Sequence, residues 1–301
     1  MNTTIDNFRI GVDIGGTFTD IVLLNENTGL SYNGKVLTTP DDPSRAVLDG
    51  VATMLSEHGV NPVYSSIIHG TTLVANALIE RKGVKTALIT TRGFRDVLEI
   101  GREWRYDLFD LEIQMPQPLV PRHRRFEVTE RVGPNGDILT KMDDDEVIFL
   151  AKKLAVSDIK AVAIVYLHSF KNSSHEQRTK EIIRCYAPNL TVCLSSEVSP
   201  EIGEYERTST AVANAYVQPI FKTYVQDLAT GLRNLGVEKD LFLMLSDGGT
   251  VHEKTAVEYP IRLVQSGPAG GAQAATLYGR LSGETEILCF DMGGTTAKAC
   301  L

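Results

Sequence analysis

The sequence contains one short motif twice, near its beginning and near its end, and each copy follows an apolar run. Residues 9–24 read RIGVDIGGTFTDIVLL, and residues 286–298 read EILCFDMGGTTAK. In both copies an Asp, one further residue, two glycines and a threonine follow a run of strand length. The motif therefore predicts two strand–turn–strand hairpins, far apart in a chain of 301 residues.

The residue types in the two turns suit a polyphosphate bound together with a divalent cation. Glycine can adopt positive φ, and its backbone N–H can approach an anion closely. A carboxylate at a strand end can hold Mg²⁺, often through water. One such turn could also be a structural Gly-Gly hairpin with a capping Asp, but the second copy favours the phosphate interpretation. The candidate residues are Asp13, Gly15, Gly16, Thr17 and Thr19 in the first turn and Asp291, Gly293, Gly294 and Thr295 in the second.

Between the two motifs, runs rich in Val and Ile alternate with segments whose apolar residues follow helical spacing. This alternation predicts an α/β fold in which helices flank the sheets. The pattern breaks at about residues 101–142, where Pro and Arg are frequent, and we interpret this part as an insertion or small subdomain of the first lobe. A lobe boundary is predicted near residues 196–203, so the predicted domains are residues 1–195 and residues 196–301.

The composition disfavours several other classes of protein. A net charge of −8 argues against a nucleic-acid binder, which would need a basic surplus. No apolar run approaches the roughly 18 residues that cross a bilayer, and the N-terminus lacks the pattern of a signal peptide. The four cysteines form no C-x-x-C pair, which predicts a reduced, cytoplasmic location. The sequence also lacks the spacings of a zinc site, a Walker-type P-loop and a serine hydrolase elbow.

The motifs DIGGTFTD and DMGGTTAK resemble the two phosphate motifs of the actin-like ATPase superfamily. The chain between them is similar to the hydantoinase/oxoprolinase family, specifically to its hydantoinase A type subunit (N-methylhydantoinase A and acetone carboxylase beta-like chains). The similar stretches are IHGTTLVANALIERKG, TRGFRDVLEIGR, PLVPR, EVTERV, SPEIGEYERTSTAVANAYVQP and SGPAGG. The resemblance spans nearly the whole chain and implies actin-like, ribonuclease H-like ATPase lobes with mixed sheets flanked by helices.

The resemblance also implies a function. Members of the family use ATP to open a cyclic amide, such as a hydantoin or 5-oxoproline, by phosphorylating a carbonyl oxygen. Related carboxylases activate a ketone, so an ATP-dependent ketone carboxylase subunit is one alternative, and a non-catalytic fragment or assembly subunit is another. The implied ligands are ATP, Mg²⁺ and a small cyclic amide or ketone. The implied partner is a hydantoinase B type subunit in a hetero-oligomer, with neither nucleic acid nor membrane.

The resemblance assigns roles to the residues of both turns. Asp13 and Asp291 would organise Mg²⁺, and the two Gly-Gly-Thr turns would hold the β- and γ-phosphates. Many relatives read Ser-Thr-Asp after the second Gly-Gly-Thr, whereas this chain reads Thr296, Ala297 and Lys298. We therefore count Thr296 and Lys298 among the phosphate-binding candidates, since the Lys298 ammonium could contact a phosphate directly.

A third candidate segment is HGTT, which follows a short predicted strand. From the sequence alone, Thr71 or Thr72 is the N-cap of the next helix. The resemblance to a stretch that lines the cleft in the family gives the alternative: His69 and Thr72 contact the substrate, and Thr71 takes part in catalysis. Asn76, one helical turn further, would face the same cleft.

The position of the second motif leads to a prediction about the end of the chain. Family chains of this type are longer, and this sequence ends one strand after the second turn. We therefore expect an incomplete second lobe, with apolar side chains left exposed on its hairpin. Residues 1–195 should form a compact lobe, and the isolated chain should bind ATP weakly or not at all.

Overall fold

The structure is a computed structural model that describes residues 7–292 and 297–301. The described residues divide into two compact units. Unit 1 combines parts of Met1–Glu80 and Ile220–Leu301, and unit 2 is Arg81–Pro219. This grouping differs from the predicted compact lobe of residues 1–195, because a late strand returns to the sheet of the first eighty residues. The domain boundary at residue 195 stays a prediction.

The chain forms fourteen strands and nine α-helices within the described ranges. The strands are β1 (Phe8–Ile14), β2 (Phe18–Asn25), β3 (Ser31–Leu37), β4 (Ser65–Thr71), β5 (Thr86–Thr91), β6 (Arg125–Val128), β7 (Arg131–Val132), β8 (Ile138–Thr140), β9 (Ala161–Val165), β10 (Thr191–Leu194), β11 (Leu241–Met244), β12 (Thr250–His252), β13 (Cys289–Met292) and β14 (Ala297–Cys300). The helices are α1 (Pro43–Glu57), α2 (Leu73–Ile79), α3 (Val97–Ile100), α4 (Asp144–Ala155), α5 (Ser174–Tyr186), α6 (Ser195–Val198), α7 (Glu204–Asn234), α8 (Glu253–Glu258) and α9 (Ser266–Ser282).

Unit 1 contains a mixed six-stranded sheet with the strand order β12-β11-β4-β1-β2-β3. Strands β1, β2 and β3 form an antiparallel meander, whereas β4 runs parallel to β1 and β11 runs parallel to β4. Side chains of β1 alternate between a buried and a more exposed face, as a strand with one covered face requires. The predicted first hairpin is therefore confirmed, and neither of its strands is an outermost strand of this sheet.

Helix α1 packs closely on the meander, and glycines make this contact possible. A Cβ on Gly50 of α1 would lie 2.5 Å from Ile21 Cδ1, and a Cβ on Gly34 of β3 would lie 2.5 Å from Met54 Sδ. The helix begins at Pro43, where the missing N–H of proline costs no hydrogen bond. Gly59, with φ of +61°, follows shortly after its end, as the sequence predicts.

Unit 2 contains a four-stranded, wholly parallel sheet with the order β10-β9-β5-β6. Strands β5 and β9 are buried along their whole length, because a parallel sheet is covered on both faces. Strand β6 falls within the predicted insertion at residues 101–142, yet it pairs with β5 and belongs to the main sheet. The longest stretch of this segment without helix or strand is residues 101–121, before β6.

The carboxyl ends of three neighbouring strands meet at one edge of the unit 1 sheet. The register places Ile14 at the end of β1 opposite Thr71 at the end of β4, and Leu243 of β11 opposite His69. The Gly-Gly turn after β1 and the HGTT segment consequently lie at the same edge. Ligands of open α/β sheets bind at this edge, so the topology brings the predicted segments together where a site is expected.

The last part of unit 1 exposes many apolar side chains. Strands β13 and β14 form a separate two-stranded antiparallel sheet. The exposed apolar residues in this region are Leu277, Tyr278, Leu281, Leu288, Phe290, Met292 and Leu301. This agrees with the predicted exposure of apolar side chains on the second hairpin. Within the described ranges, no helix has the length and apolar character that a membrane span needs.

Candidate functional site

Asp13 lies on the more exposed face of β1, next to the Gly-Gly turn. In the antiparallel register it is directly opposite Asp20 of β2, and in the parallel register it is beside Gly70 of β4. A Cβ on Gly70 would lie 3.1 Å from Asp13 Oδ1 and 3.8 Å from its carboxyl carbon. The glycine of HGTT therefore leaves the space that the Asp13 carboxylate occupies.

The surroundings of Asp13 disfavour its negative charge. Although water reaches this side chain, partial desolvation by the protein raises the pKa of Asp13 above its ordinary value, and the charges of Asp20 and Asp291 raise it further. Lys298 acts in the opposite direction and lowers it. Like charges directly opposite each other also destabilise an antiparallel pair. Asp13 is thus a carboxylate that a bound cation would stabilise.

The residues present fit a cation that keeps part of its hydration shell. In the described parts of the chain, no group of three or more His, Cys, Asp and Glu side chains is arranged to hold a metal ion. Mg²⁺ is usually bound through one or two carboxylates, several waters and the phosphates of a substrate. Asp13 together with Asp291 meets this requirement, whereas a fully protein-built cage is not observed among the described residues.

The backbone of the first turn differs from the expectation. Gly15 and Gly16 both have negative φ, so the turn does not require glycine for its conformation. The Gly15 N–H donates to the Phe18 carbonyl oxygen at 2.9 Å and is not free for an anion. A Cβ on Gly16 would contact nothing within 4 Å, and Gly16 and Thr17 are exposed. The backbone at Gly16 therefore has open space beside it.

Thr19 supports the first turn from the interior and does not face its exposed side. The residue is fully buried, and its hydroxyl forms a 3.1 Å hydrogen bond with the Thr38 hydroxyl. The Thr38 hydroxyl in turn donates to the Gly15 carbonyl oxygen at 3.0 Å. The predicted direct contact of Thr19 with phosphate is therefore not possible in this conformation, since β2 points this side chain to the covered face.

The second hairpin repeats the first in register but not in charge. Asp291 of β13 is directly opposite Lys298 of β14 and is exposed. The predicted phosphate-binding residues of its turn, Gly293, Gly294, Thr295 and Thr296, lie outside the described residues. The two charged candidates of this hairpin, Asp291 and Lys298, lie near enough to Asp13 for their charges to shift the pKa of its carboxyl group.

His69 is buried, in contrast to its predicted contact with a substrate. Its Nδ1 is 3.3 Å from the Val12 carbonyl oxygen, which can only accept, so Nδ1 carries the proton. The Tyr224 hydroxyl then donates to Nε2 at 2.6 Å. Burial lowers the pKa of His69 to about 4, so the ring is neutral at physiological pH. With both nitrogens engaged, His69 connects β4 to β1 and α7 instead of facing solvent.

Of the two predicted N-caps, Thr72 takes the N-cap position of the helix that follows HGTT, but its side chain forms no capping hydrogen bond. Thr71 lies one residue earlier, and its hydroxyl accepts a hydrogen bond from the Leu73 N–H at 3.1 Å. Its backbone is held by Ser266 at the beginning of α9: the Thr71 N–H donates to the Ser266 hydroxyl at 3.3 Å, and this hydroxyl donates to the Thr71 carbonyl oxygen at 2.9 Å. Thr71 is buried, so its hydroxyl supports the segment and is not presented to a ligand in this conformation.

Thr72 and Asn76 form the partly exposed side of the same segment. The Thr72 hydroxyl donates to the Ile14 carbonyl oxygen at 3.2 Å, which ties the segment to the end of β1. The Asn76 amide donates to the Thr72 hydroxyl at 3.2 Å. Both side chains are half-buried. Their contact with a substrate stays a prediction.

Sequence reasoning missed several residues that hold this edge together. Ser266 clamps the end of β4, Tyr224 fixes His69, and Thr38 links Thr19 to the Gly15 carbonyl oxygen. Ser266 begins the quoted stretch SGPAGG, and that stretch was a usable signal. Tyr224 carried no signal, because its partner lies 155 positions away in the sequence.

Unit 1 is thus defined as an actin-like α/β unit, with a meander followed by parallel strands and an Asp-x-Gly-Gly hairpin at their carboxyl edge. The chain belongs to the hydantoinase/oxoprolinase family, as its motifs predict. A profile described as the hydantoinase/oxoprolinase N-terminal region matches residues 9–187, and a second described as hydantoinase/oxoprolinase matches residues 207–301.

Relatives of known name support the same assignment. The caprolactamase subunit alpha of Pseudomonas jessenii is 33% identical over 296 residues, which are 96% of this chain and 42% of that protein. The 5-oxoprolinase of Saccharomyces cerevisiae is 33% identical over 333 residues, covering 96% of this chain and 25% of that protein. An uncharacterized protein of Methanocaldococcus jannaschii is 40% identical over 295 residues, which cover 97% of this chain and 43% of that protein.

Two solved structures share the fold. The nucleotide-free structure of acetone carboxylase, from work on ATP-dependent acetone carboxylation, superposes with a TM-score of 0.89 at 27% identity, covering 98% of this chain and 44% of that one. The ATP-dependent caprolactamase of Pseudomonas jessenii superposes with a TM-score of 0.85 at 32% identity, covering 97% of this chain and 43% of that one. The predicted actin-like fold class is confirmed. The chain spans less than half the length of these relatives.

Proposed function

We propose that the edge of unit 1 binds Mg²⁺·ATP and that the chain contributes to the ATP-dependent opening of a cyclic amide. The observation that carries this proposal is the charge arrangement at the first hairpin. Asp13 faces Asp20 and lies near Asp291. Partial desolvation raises the pKa of Asp13, and the charges of these two carboxylates raise it further. A divalent cation bound with a polyphosphate would neutralise these carboxylates.

Different residues at this end of the strands would bind the cation and the phosphates. Asp13 and Asp291 would hold the cation, and Lys298 would contact a phosphate. Gly16 and Thr17 would approach the phosphates through the exposed backbone of the first turn, where a Cβ would fill the open space beside Gly16. Thr19, Thr71 and His69 would keep this backbone in place from the interior.

The cation would neutralise developing negative charge on the phosphates. In the reaction that we propose, the γ-phosphoryl group of ATP passes to the carbonyl oxygen of the amide and ADP leaves. Water then adds to the activated carbon, and the ring C–N bond breaks to leave the amine and an acyl phosphate. A second water hydrolyses this acyl phosphate to the carboxylate and inorganic phosphate. Phosphoryl transfer depends on positioning and charge neutralisation more than on covalent chemistry by the protein, which suits an edge built of turns and carboxylates. Thr72 and Asn76 are half-buried, and the Thr72 hydroxyl is bonded to the end of β1, so these two side chains would orient the amide.

The relatives support an amide over a ketone, and they support a partner subunit. The caprolactamase subunit alpha and the yeast 5-oxoprolinase are each 33% identical to this chain, whereas the acetophenone carboxylase gamma subunit and the acetone carboxylase beta subunit are 30% and 28% identical. Ketone carboxylation is therefore the second candidate. Because the caprolactamase and the two carboxylase chains are named as subunits, we propose that the chain works with a hydantoinase B type partner.

Turnover with a panel of substrates tests this proposal. A chain extended to the length of its relatives and mixed with a B-type subunit should release ADP with hydantoin, 5-oxoproline or caprolactam in the presence of Mg²⁺. Acetone and acetophenone with bicarbonate form the comparison set, and Asp13→Asn is the inactive control. ADP release with a ketone and bicarbonate but with no cyclic amide would transfer the assignment to the carboxylases. Release that is unchanged in Asp13→Asn would remove the proposed site.

A further inference from the structure

Two cysteines face each other across the second hairpin. Cys289 begins β13 and Cys300 ends β14, and the antiparallel register makes them direct partners. Both are free thiols in the structure. Direct partners in an antiparallel pair place their side chains on the same face, and the two thiols are near enough for a hydrogen bond between them.

The first hairpin provides a measure of the distance at this position. Gly11 lies two positions before Asp13, and its partner Val22 lies two positions after Asp20. In the second hairpin, Cys289 and Cys300 have the same positions relative to Asp291 and Lys298. A Cβ built on Gly11 lies 3.9 Å from Val22 Cβ. Disulfides require a Cβ–Cβ separation of roughly 3.5–4.5 Å, so this register position has the spacing of a cross-strand disulfide.

Both thiols can be reached by a small molecule. Cys300 is exposed and Cys289 is partly exposed. They line one cavity of about 350 Å³, which is also bordered by Ala272 and Thr276 of α9. A small thiol or disulfide compound fits a space of this size, which exceeds the volume of a single water many times.

We propose that Cys289 and Cys300 are a reversible dithiol–disulfide pair that exchanges with small-molecule disulfides. The more exposed Cys300 sulfur attacks the small disulfide, forms a mixed disulfide and releases one small thiol. The Cys289 sulfur then attacks the sulfur of Cys300, and the second small thiol leaves. Two protein thiols and one small disulfide thus become one protein disulfide and two small thiols, which carry away the two protons.

The new bond would close the hairpin that carries the second candidate phosphate turn. Asp291 and Lys298 lie between the two cysteines in the sequence, so the disulfide forms a covalent ring that contains both charged groups and the turn. A ring of this kind restricts the separated, unpaired conformations of the two strands. An effect on nucleotide affinity rests on the proposed function, whereas the formation of the disulfide does not.

Equilibration of the 301-residue chain with mixtures of oxidised and reduced glutathione, followed by acid quenching and peptide mass spectrometry, tests the pair. We expect a crosslinked species that joins the peptides of Cys289 and Cys300, with the mass lowered by two hydrogen atoms, and full reversal by dithiothreitol. Cys289→Ser should convert this product into a stable glutathione adduct on Cys300. Cys185→Ser, which removes an exposed cysteine elsewhere, should leave the crosslink unchanged and is the matched control.

The opposite results would overturn the proposal. These are a stable glutathione adduct on Cys300 in the unsubstituted chain, a pair that stays reduced while Cys185 is modified, or a crosslink between two chains. Far-ultraviolet circular dichroism of Cys289→Ser establishes that the variant is folded. Should it not fold, Cys300→Ser is the second variant, and it should show no crosslink and a stable glutathione adduct on the partly exposed Cys289. If ATP binding fails but the crosslink forms, only the proposed function is lost.

Discussion

The two Asp-x-Gly-Gly hairpins of unit 1 share a sequence pattern but differ in the charge that faces the aspartate. In the first hairpin the partner of Asp13 is Asp20, and in the second the partner of Asp291 is Lys298. The first hairpin therefore holds two like charges face to face, and the counter-charge of Asp20 is Lys35 of the next strand, β3, at 3.0 Å. In the second hairpin the counter-charge is directly opposite the aspartate. A shared motif thus does not imply an equal need for a cation, and we expect Asp13 to depend on a bound cation more than Asp291 does.

The hairpins also differ in how the protein covers them. Strands β1 and β2 lie inside a six-stranded sheet, and one face of each is buried through side chains such as Ile10, Ile14 and Ile21. Strands β13 and β14 form a sheet of two, with Phe290 and Met292 exposed. A two-stranded sheet is at most marginally stable alone, so the geometry around Asp13 is fixed by packing and that around Asp291 is fixed mainly by local pairing.

The largest predicted effect separates the two aspartates by nucleotide affinity. In a chain extended to the length of its relatives, Asp13→Asn should weaken Mg²⁺·ATP binding by at least about 100-fold, or roughly 3 kcal/mol, because the main cation ligand is lost. Asp291→Asn should weaken it by only about 10-fold, since Lys298 already compensates part of that charge. Isothermal titration calorimetry measures both, with Asp41→Asn on the surface as a control. Equal losses for Asp13 and Asp291 would mean that the charge opposite each aspartate has no influence.

The hairpins, the α/β class and the family could be predicted from the sequence because they depend on local signals. An apolar run followed by Asp and two glycines specifies a strand and a turn without reference to the rest of the chain. The N-cap of α2 could be predicted as Thr71 or Thr72 for the same reason, and Thr72 takes that position.

The grouping of the strands and the roles of buried polar residues could not be predicted in this way. Strand β11 joins β4 across about 170 residues, and no local pattern specifies that pairing. His69 and Thr19 have the chemistry of ligands, and only the sheet register directs them inward to Tyr224 and Thr38. The same limit applies to β6, whose short run lies in a Pro- and Arg-rich stretch that resembles an insertion.

A smaller effect sharpens the comparison at the first turn itself. Gly16→Ala should change the thermal midpoint of the ligand-free chain by less than about 2 °C, because the new Cβ meets open space and φ is negative. Gly15→Ala should lower the midpoint by more, since a Cβ there would lie 3.2 Å from the Phe18 carbonyl oxygen. In a chain extended to the length of its relatives, Gly16→Ala should still weaken nucleotide binding. Scanning calorimetry combined with titration would contradict this account if Gly16→Ala lowered stability and left affinity intact.

The pH dependence of stability, compared between the ligand-free chain and Asp13→Asn without divalent cations, tests the central claim most directly. The pKa of Asp13 is raised in the folded protein, so the folded state holds this proton more tightly than the unfolded state. The stability that protonated Asp13 contributes is present below its ordinary pKa and is lost as pH rises through the raised pKa. We predict equal thermal midpoints at the acid end. Near neutral pH, the thermal midpoint of Asp13→Asn should be higher by roughly 2 °C, which corresponds to about 1 kcal/mol of desolvation and cross-strand repulsion in a chain of this size. A difference that does not change with pH, or a ligand-free chain more stable than Asp13→Asn at neutral pH, would contradict the account.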